Sequence, residues 1–188
     1  MTILGRTWHC IRLWIKELES HLFLMDNITS WNIRGRNASK KQKDVLAFHR
    51  KNKVGLLWLV ETKVRLCNYE TAAQNFPGWQ HYVQYNDLKK GRLWLMWIPE
   101  DFTIHILHSS KQTTNYWVAH RFSGGTFYLT LVYEDNDELE RRKLYEMLQT
   151  TATNIAAPWI IMWDFNQLLH IDDRTGGLPV TQHDIRDF

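Results

Sequence analysis

The chain has 188 residues, 44% of them hydrophobic and 13% aromatic, which is ample apolar side chain for the core of one domain. Its 23 Lys and Arg against 20 Asp and Glu leave a formal charge of +3, too small to identify a partner by itself. The composition excludes collagen, an acidic disordered tail and a disulfide mini-protein, and no run reaches the roughly 18 to 20 apolar residues of a membrane-spanning helix. Cys10 and Cys67 lack the spacing of a disulfide framework or a zinc finger, so a reducing, intracellular compartment is the simplest expectation.

In chain order, Leu4, Trp8, Ile11, Ile15, Leu18 and Leu22 recur at steps of three and four, the spacing of one helical face. Lys16, Glu17 and Glu19 interrupt any signal-peptide core, so residues 1–24 read as an amphipathic helical extension and residues 25–188 as the domain. Such a helix either packs on the domain or lies on a membrane surface; the first is the simpler expectation. Residues 28–33 are rich in β-favouring types and stop at Gly35. Ser39 can cap a helix running to Asn52, with Val45, Phe48 and Asn52 along one side. The apolar run 55–60 has the length of a buried strand. A short helix over 68–75 ends at Pro77-Gly78, and strands are expected at 79–85, 92–98, 102–108 and 115–122. Ser123-Gly124-Gly125 is a hairpin turn into a strand over 126–133. Helix 138–155 aligns Leu144, Leu148, Thr151 and Ile155, with Glu138 four before Arg142, and Pro158 closes it. The run 159–163 is another apolar strand, and the remainder reads as loop. Helices that flank strands, with a long antiparallel middle, make this an α/β layered domain.

Polar residues gather where strands end. Asn32 lies between Trp31 and Ile33, so alternation turns it away from both. Glu61 follows the apolar run directly, and is either solvated at an edge or held there as a metal ligand. Tyr133 and Asn136 close another β run, while Asp164 and Asn166 follow 159–163. Four strands that each deliver a carboxylate, carboxamide or phenol suggest a polar site able to hold a hard divalent cation through oxygen.

Two features have simpler explanations. His105 and His108, three apart on a strand, face opposite sides and make a poor metal pair. Residues 34–53 carry Arg34, Arg36, Lys40, Lys41, Lys43, Arg50, Lys51 and Lys53 against Asp44 alone. A solvated helix face is the default for such a run; contact with a DNA backbone is the alternative.

The strings Ser30-Trp-Asn-Ile-Arg-Gly35, Val60-Glu-Thr-Lys63, Val132-Tyr-Glu-Asp-Asn136 and Trp163-Asp-Phe-Asn166 occur in the order of the endonuclease/exonuclease/phosphatase superfamily. More narrowly, the chain from Met25 to Phe188 resembles the apurinic-type endonuclease domain of plant LINE-type (non-LTR) retrotransposons. Lys89-Lys-Gly-Arg-Leu-Trp-Leu-Met-Trp97, Glu140-Arg-Arg-Lys-Leu144 and Asp173-Arg-Thr-Gly-Gly177 strengthen that likeness. Each string alone is weak; the ordered set is specific.

The resemblance implies a layered β-sandwich flanked by helices and Mg²⁺-dependent hydrolysis of a DNA phosphodiester that leaves a 3′-hydroxyl. Mn²⁺ is the implied substitute ion. Glu61 corresponds to the principal metal ligand and Asn32 to the Asn beside that metal. Tyr133 matches the active-site Tyr and Asn136 the Asn after it. Asp164 and Asn166 match the residues that orient the attacking water and the scissile phosphate. DNA-backbone contacts would fall to Arg34, Lys40, Lys41, Lys43 and Arg174. The implied partners are DNA and a reverse transcriptase of the same element, with no membrane, and the implied compartment is the nucleus.

The sequence also departs from the family pattern. Trp163 stands where the motif has Gly, and related domains often have Gly near Trp58 and Glu134. A Trp in place of that Gly is expected to strain the backbone or crowd the phosphate. The Ser-Asp-His motif is expected beyond Phe188, so the chain reads as lacking the last strands of the second sheet. That implies impaired activity and an unpaired edge beside strand 159–163, prone to aggregation in an otherwise monomeric chain. A catalytically inactive remnant that at most binds nucleic acid, and a phosphatase-type member of the superfamily, are the competing readings.

Overall fold

The computed structural model describes residues 11–16, 27–33, 38–85, 91–135 and 137–164. Its elements run β1 (Ile11–Lys16), β2 (Asn27–Asn32), α1 (Ala38–Asn52), β3 (Val54–Val60), a 3₁₀ turn (Leu66–Asn68), α2 (Tyr69–Ala73), β4 (Gln80–Tyr85), β5 (Gly91–Trp97), β6 (Phe102–Ser109), β7 (Thr113–His120), β8 (Thr126–Tyr133), α3 (Glu138–Asn154) and β9 (Trp159–Asp164). They form two mixed sheets flanked by helices, an α/β fold, and the chain divides into two compact units.

The first unit holds the sheet β2-β3-β5-β4. Strand β3 is buried along its whole length, as its unbroken apolar run requires. It pairs in parallel with β2 and antiparallel with β5. Leu57 and Leu59 of β3 and Trp94 and Met96 of β5 share one face with Val45 of α1 and Ala72 of α2. Trp31, Ile33 and Phe48 pack against that cluster, with the Trp31 and Phe48 rings edge to face at 5.3 Å. The helix stops where Lys53 adopts a left-handed backbone with φ 48°, the conformation that commonly closes a helix.

The second unit carries the sheet β1-β9-β8-β7-β6. Strands β7 and β8 form the expected hairpin, whose turn contains Gly124 at φ 68°. Strands β8 and β9 are parallel, and α3 is the crossover between them. Leu144 and Leu148 of α3 pack on Val132, Trp159 and Ile161. Asp137 caps α3 by accepting the Glu140 N–H at 3.1 Å.

One expectation is overturned. Residues 11–16 are not helical: they form β1, which pairs antiparallel with β9 from Ile11 opposite Asp164 to Lys16 opposite Trp159. The edge of β9 expected to stand open is therefore covered over residues 159–164 by the chain's own N-terminal region. A smaller shift concerns β7, which spans Thr113–His120 rather than 115–122.

Candidate functional site

Parallel pairing brings the C-terminal ends of two strands to the same edge of a sheet, and this chain does so once in each unit. In the first, Asn32 pairs with Val60, and the ladder extends one bond further, from Ile33 N–H to the Val60 carbonyl at 3.0 Å. In the second, Tyr133 pairs with Asp164, and the following bond runs from Glu134 N–H to the Asp164 carbonyl at 3.0 Å. Tyr133 and Asp164 are thus a directly paired couple, whereas Asn32 pairs with Val60, the residue before Glu61.

Asn32 is buried although polar. Its neighbours Trp31 and Ile33 pack on the helix-covered face, so alternation puts Asn32 on the opposite one. Glu61 follows β3 with φ 54°, and Lys63 with φ 53°. Two non-glycine residues in the left-handed region within three positions cost about 1–3 kcal/mol each and persist only where the surroundings hold them. The Glu61 side chain is 15% exposed, with the Lys63 ammonium at 3.9 Å, so a freely solvated edge carboxylate does not describe it. Glu61 thus stands one residue beyond the strand position that pairs with the buried Asn32, and both side chains carry oxygen, the atom type that hard cations take as ligand. Among the described residues, no group of three or more His, Cys, Asp and Glu gathers as a ready-made metal cage.

In the second unit, Tyr133 and Asp164 are both buried, Asp164 completely. Gln112 fixes the chain that follows Tyr133: its carbonyl accepts the Tyr133 N–H at 2.8 Å, its side-chain oxygen accepts the Asp135 N–H at 2.8 Å, and its amide donates to the Glu140 carbonyl at 3.0 Å. Lys111 pairs with Asp135 beside it.

Trp163 does not crowd the face that carries Tyr133 and Asp164. Its ring packs with Tyr145 of α3, centroids 5.7 Å apart, on the helix-covered side of the sheet. Its φ is not left-handed either, so the expected strain is absent. The indole N–H donates to Glu134 Oε2 at 3.1 Å. Glu134 is wholly buried, and its Oε1 accepts the Tyr145 hydroxyl at 2.7 Å and lies 3.4 Å from Arg141 Nε. Two of the three places at which the sequence was expected to depart from a family Gly, Trp163 and Glu134, are thus hydrogen-bonded to each other. Sequence reading named Glu134 only as standing near a position where related domains often have Gly, and did not single out Gln112. The available signal was Arg141 and Tyr145, four apart and therefore on the face of α3 that Glu134 meets.

Asn136, Asn166, Arg34 and Arg174 lie outside the described residues, as does the expected terminal loop. Lys40 and Lys41 fall in α1, where Lys43 is exposed, as are Arg50 and Lys51 in its last turn. Cations there also complement the carbonyl end of the helix dipole. His105 and His108 are exposed on β6, and His105 contacts the Trp117 ring at 5.4 Å.

No protein-family model matches the chain, and no curated protein matches it. Solved structures do. An endonuclease/exonuclease/phosphatase family protein from Bacteroides thetaiotaomicron aligns with TM-score 0.57 and 14% identity, over 73% of this chain and 62% of that one. The endonuclease domain of TRAS1, a telomere-specific non-LTR retrotransposon, aligns with TM-score 0.54 and 11% identity, over 74% and 59%. D. rerio TDP2, complexed with single-strand DNA product, aligns with TM-score 0.50 and 14% identity, over 71% and 57%. This chain spans only part of the length of each. At these identities the likeness is one of fold, and the fold is that of the endonuclease/exonuclease/phosphatase proteins.

Proposed function

We propose that this chain is a DNA endonuclease-type domain of a non-LTR retrotransposon, which hydrolyses a phosphodiester with Mg²⁺ and leaves a 3′-hydroxyl. The observation that supports this reading best is the pairing of Tyr133 with a wholly buried Asp164 at the ends of two parallel strands, repeated in kind by Asn32 and the Val60-Glu61 step. The described residues of the ordered motifs fall on these strand ends.

Glu61 and Asn32 would hold the cation through oxygen, Mn²⁺ being the substitute. When bound, it supplies charge neutralisation at the phosphate and acidifies a coordinated water. Asp164 orients the attacking water and accepts its hydrogen bond, and burial keeps that carboxylate in one place. Tyr133 presents a phenolic donor to a phosphate oxygen. Asn136 and Asn166 take the parts that the family resemblance implies for them, at the phosphate and the water. Lys43, with Arg34, Lys40, Lys41 and Arg174, would meet the DNA backbone, where clustered cations serve without reading sequence. In this reading the product hydroxyl primes a reverse transcriptase of the same element, in the nucleus.

The test is nicking of supercoiled plasmid by the purified chain, with polymerase extension from the nick to report a 3′-hydroxyl. Nicking that disappears with EDTA and with Asp164→Ala is the expected result. An absence of nicking, or nicking that Asp164→Ala leaves unchanged, overturns the proposal.

A further inference from the structure

The sheet face covered by α3 holds a carboxylate that no step above uses. Glu134 has no exposed surface, and three side-chain donors converge on it: the Trp163 indole, the Tyr145 hydroxyl and the Arg141 guanidinium. A carboxylate has only acceptors to offer, so this constellation is matched in charge and in hydrogen-bond sense. Its main chain is equally engaged, donating to the Asp164 carbonyl at 3.0 Å. Glu134 therefore grips both of the last residues of β9, Trp163 by its side chain and Asp164 by its backbone. It also directly follows Tyr133, so the one residue ties the end of β8 to the end of β9.

We propose that Glu134 is a positioning residue. It sets from behind the sheet where Tyr133 and Asp164 emerge on the other face, and Trp163 is the handle by which it does so. Its consequence for hydrolysis rests on the reading of Asp164 given above; the positioning itself does not. The Trp at position 163 is then one half of a lock whose other half is Glu134. With Gln at position 134, one of the two oxygens becomes an amide. Either rotamer then points a donor at the indole N–H or at the guanidinium. Removing the indole donor as well relieves that conflict, so the two substitutions are expected to be non-additive.

The experiment uses four full-length chains: parent, E134Q, W163F and the double variant. The first readout is the set of main-chain amide NMR signals of Tyr133, Glu134 and Asp164, with Leu129 and Ile160 in mid-strand as internal controls. E134Q is expected to displace the strand-end signals and spare the controls, and the double variant to return them most of the way towards W163F. The second readout is nicking well below the unfolding temperature. E134Q is expected to lower the rate at saturating DNA, by up to about a hundredfold, without changing the DNA concentration that half-saturates it.

Strand-end signals that E134Q leaves in place overturn the inference. So do shifts in the double variant that equal the sum of the single ones, and so does a lowered unfolding temperature accompanied by neither effect. If the parent chain does not nick DNA, the endonuclease reading falls while the NMR cycle still decides the positioning role. Should E134Q fail to fold, Y145F removes one donor from the same carboxylate. Displacement of the Tyr133 and Asp164 signals by Y145F supports the role, and unmoved signals overturn it.

Discussion

Arg141 and Glu134 form a buried ion pair, Nε to Oε1 3.4 Å, in which the side chains are 8% and 0% exposed. The next residue, Arg142, makes a shorter contact of 2.7 Å with Glu138, yet those side chains are 70% and 69% exposed. Burial, not distance, decides which of the two matters. Arg141→Leu takes a paired cation away from a carboxylate in the interior and should cost about 3–5 kcal/mol. Arg142→Leu should cost at most about 0.5 kcal/mol, because water and salt already screen that pair. Urea unfolding of both variants checks the contrast, and equal losses would refute it.

β1 covers the edge of β9 in a six-residue antiparallel ladder. Deleting residues 1–16 should remove about 1 kcal/mol for each ladder bond lost and expose the unpaired edge of β9. Such an edge pairs with other chains. The expected outcome is a lower unfolding temperature together with concentration-dependent light scattering. A deletion variant as soluble and as stable as the parent would show that β1 contributes nothing to the sheet.

Among the described residues, the Tyr85 hydroxyl is buried with no hydrogen-bond partner. Burial, and then the neighbouring Tyr69, push its pKa above the ordinary 10.0. The folded chain therefore holds this proton more tightly than the unfolded chain. The stability tied to the neutral phenol is complete below pH 10 and is lost as the pH rises through the raised value. Tyr85→Phe removes an unsatisfied hydroxyl at little cost in shape and should stabilise the chain by about 1 kcal/mol. It should also flatten the alkaline decline. Part of the decline remains with Tyr69, which burial and Glu70 shift upward in the same way. Unfolding midpoints at neutral and alkaline pH measure both effects.

Glu61→Gln and Asp164→Ala should each abolish most nicking, but in distinguishable ways. Under the proposed function, neutralising Glu61 removes an anionic oxygen donor to the cation, so raising the Mg²⁺ concentration should restore part of the rate. Removing Asp164 takes away a positioned group and should cost about 10²–10⁴-fold at any Mg²⁺ concentration. Rate profiles against Mg²⁺ for the two variants, with circular dichroism to confirm folding, separate the roles. Identical profiles would contradict the assignment.

Local pattern carried much of this fold. The unbroken apolar run before Glu61, the Ser-Gly-Gly turn and the spacing of Leu144 and Leu148 each specify an element through neighbours a few residues away. All three appear where expected, as β3, the β7–β8 turn and α3. The site was legible only as a set of strand ends, since the motifs named Asn32, Glu61, Tyr133 and Asp164 but not which strands adjoin. Residues 11–16 show why the rest was hidden. Ile11 and Ile15 suit a helical face, while Ile11, Leu13 and Ile15 also alternate as a strand does. Two periods fit six residues equally well, and the pairing with β9 chose between them. Glu134 was hidden for the same reason: a carboxylate after a strand is solvated unless something distant covers it, and Tyr145, Trp163 and Arg141 reach it from α3 and β9. Periodicity is a short-range property that a chain carries in its sequence. Strand neighbours, ladder register and the burial of a charge depend on segments far apart along the chain, and only the folded arrangement brings those together.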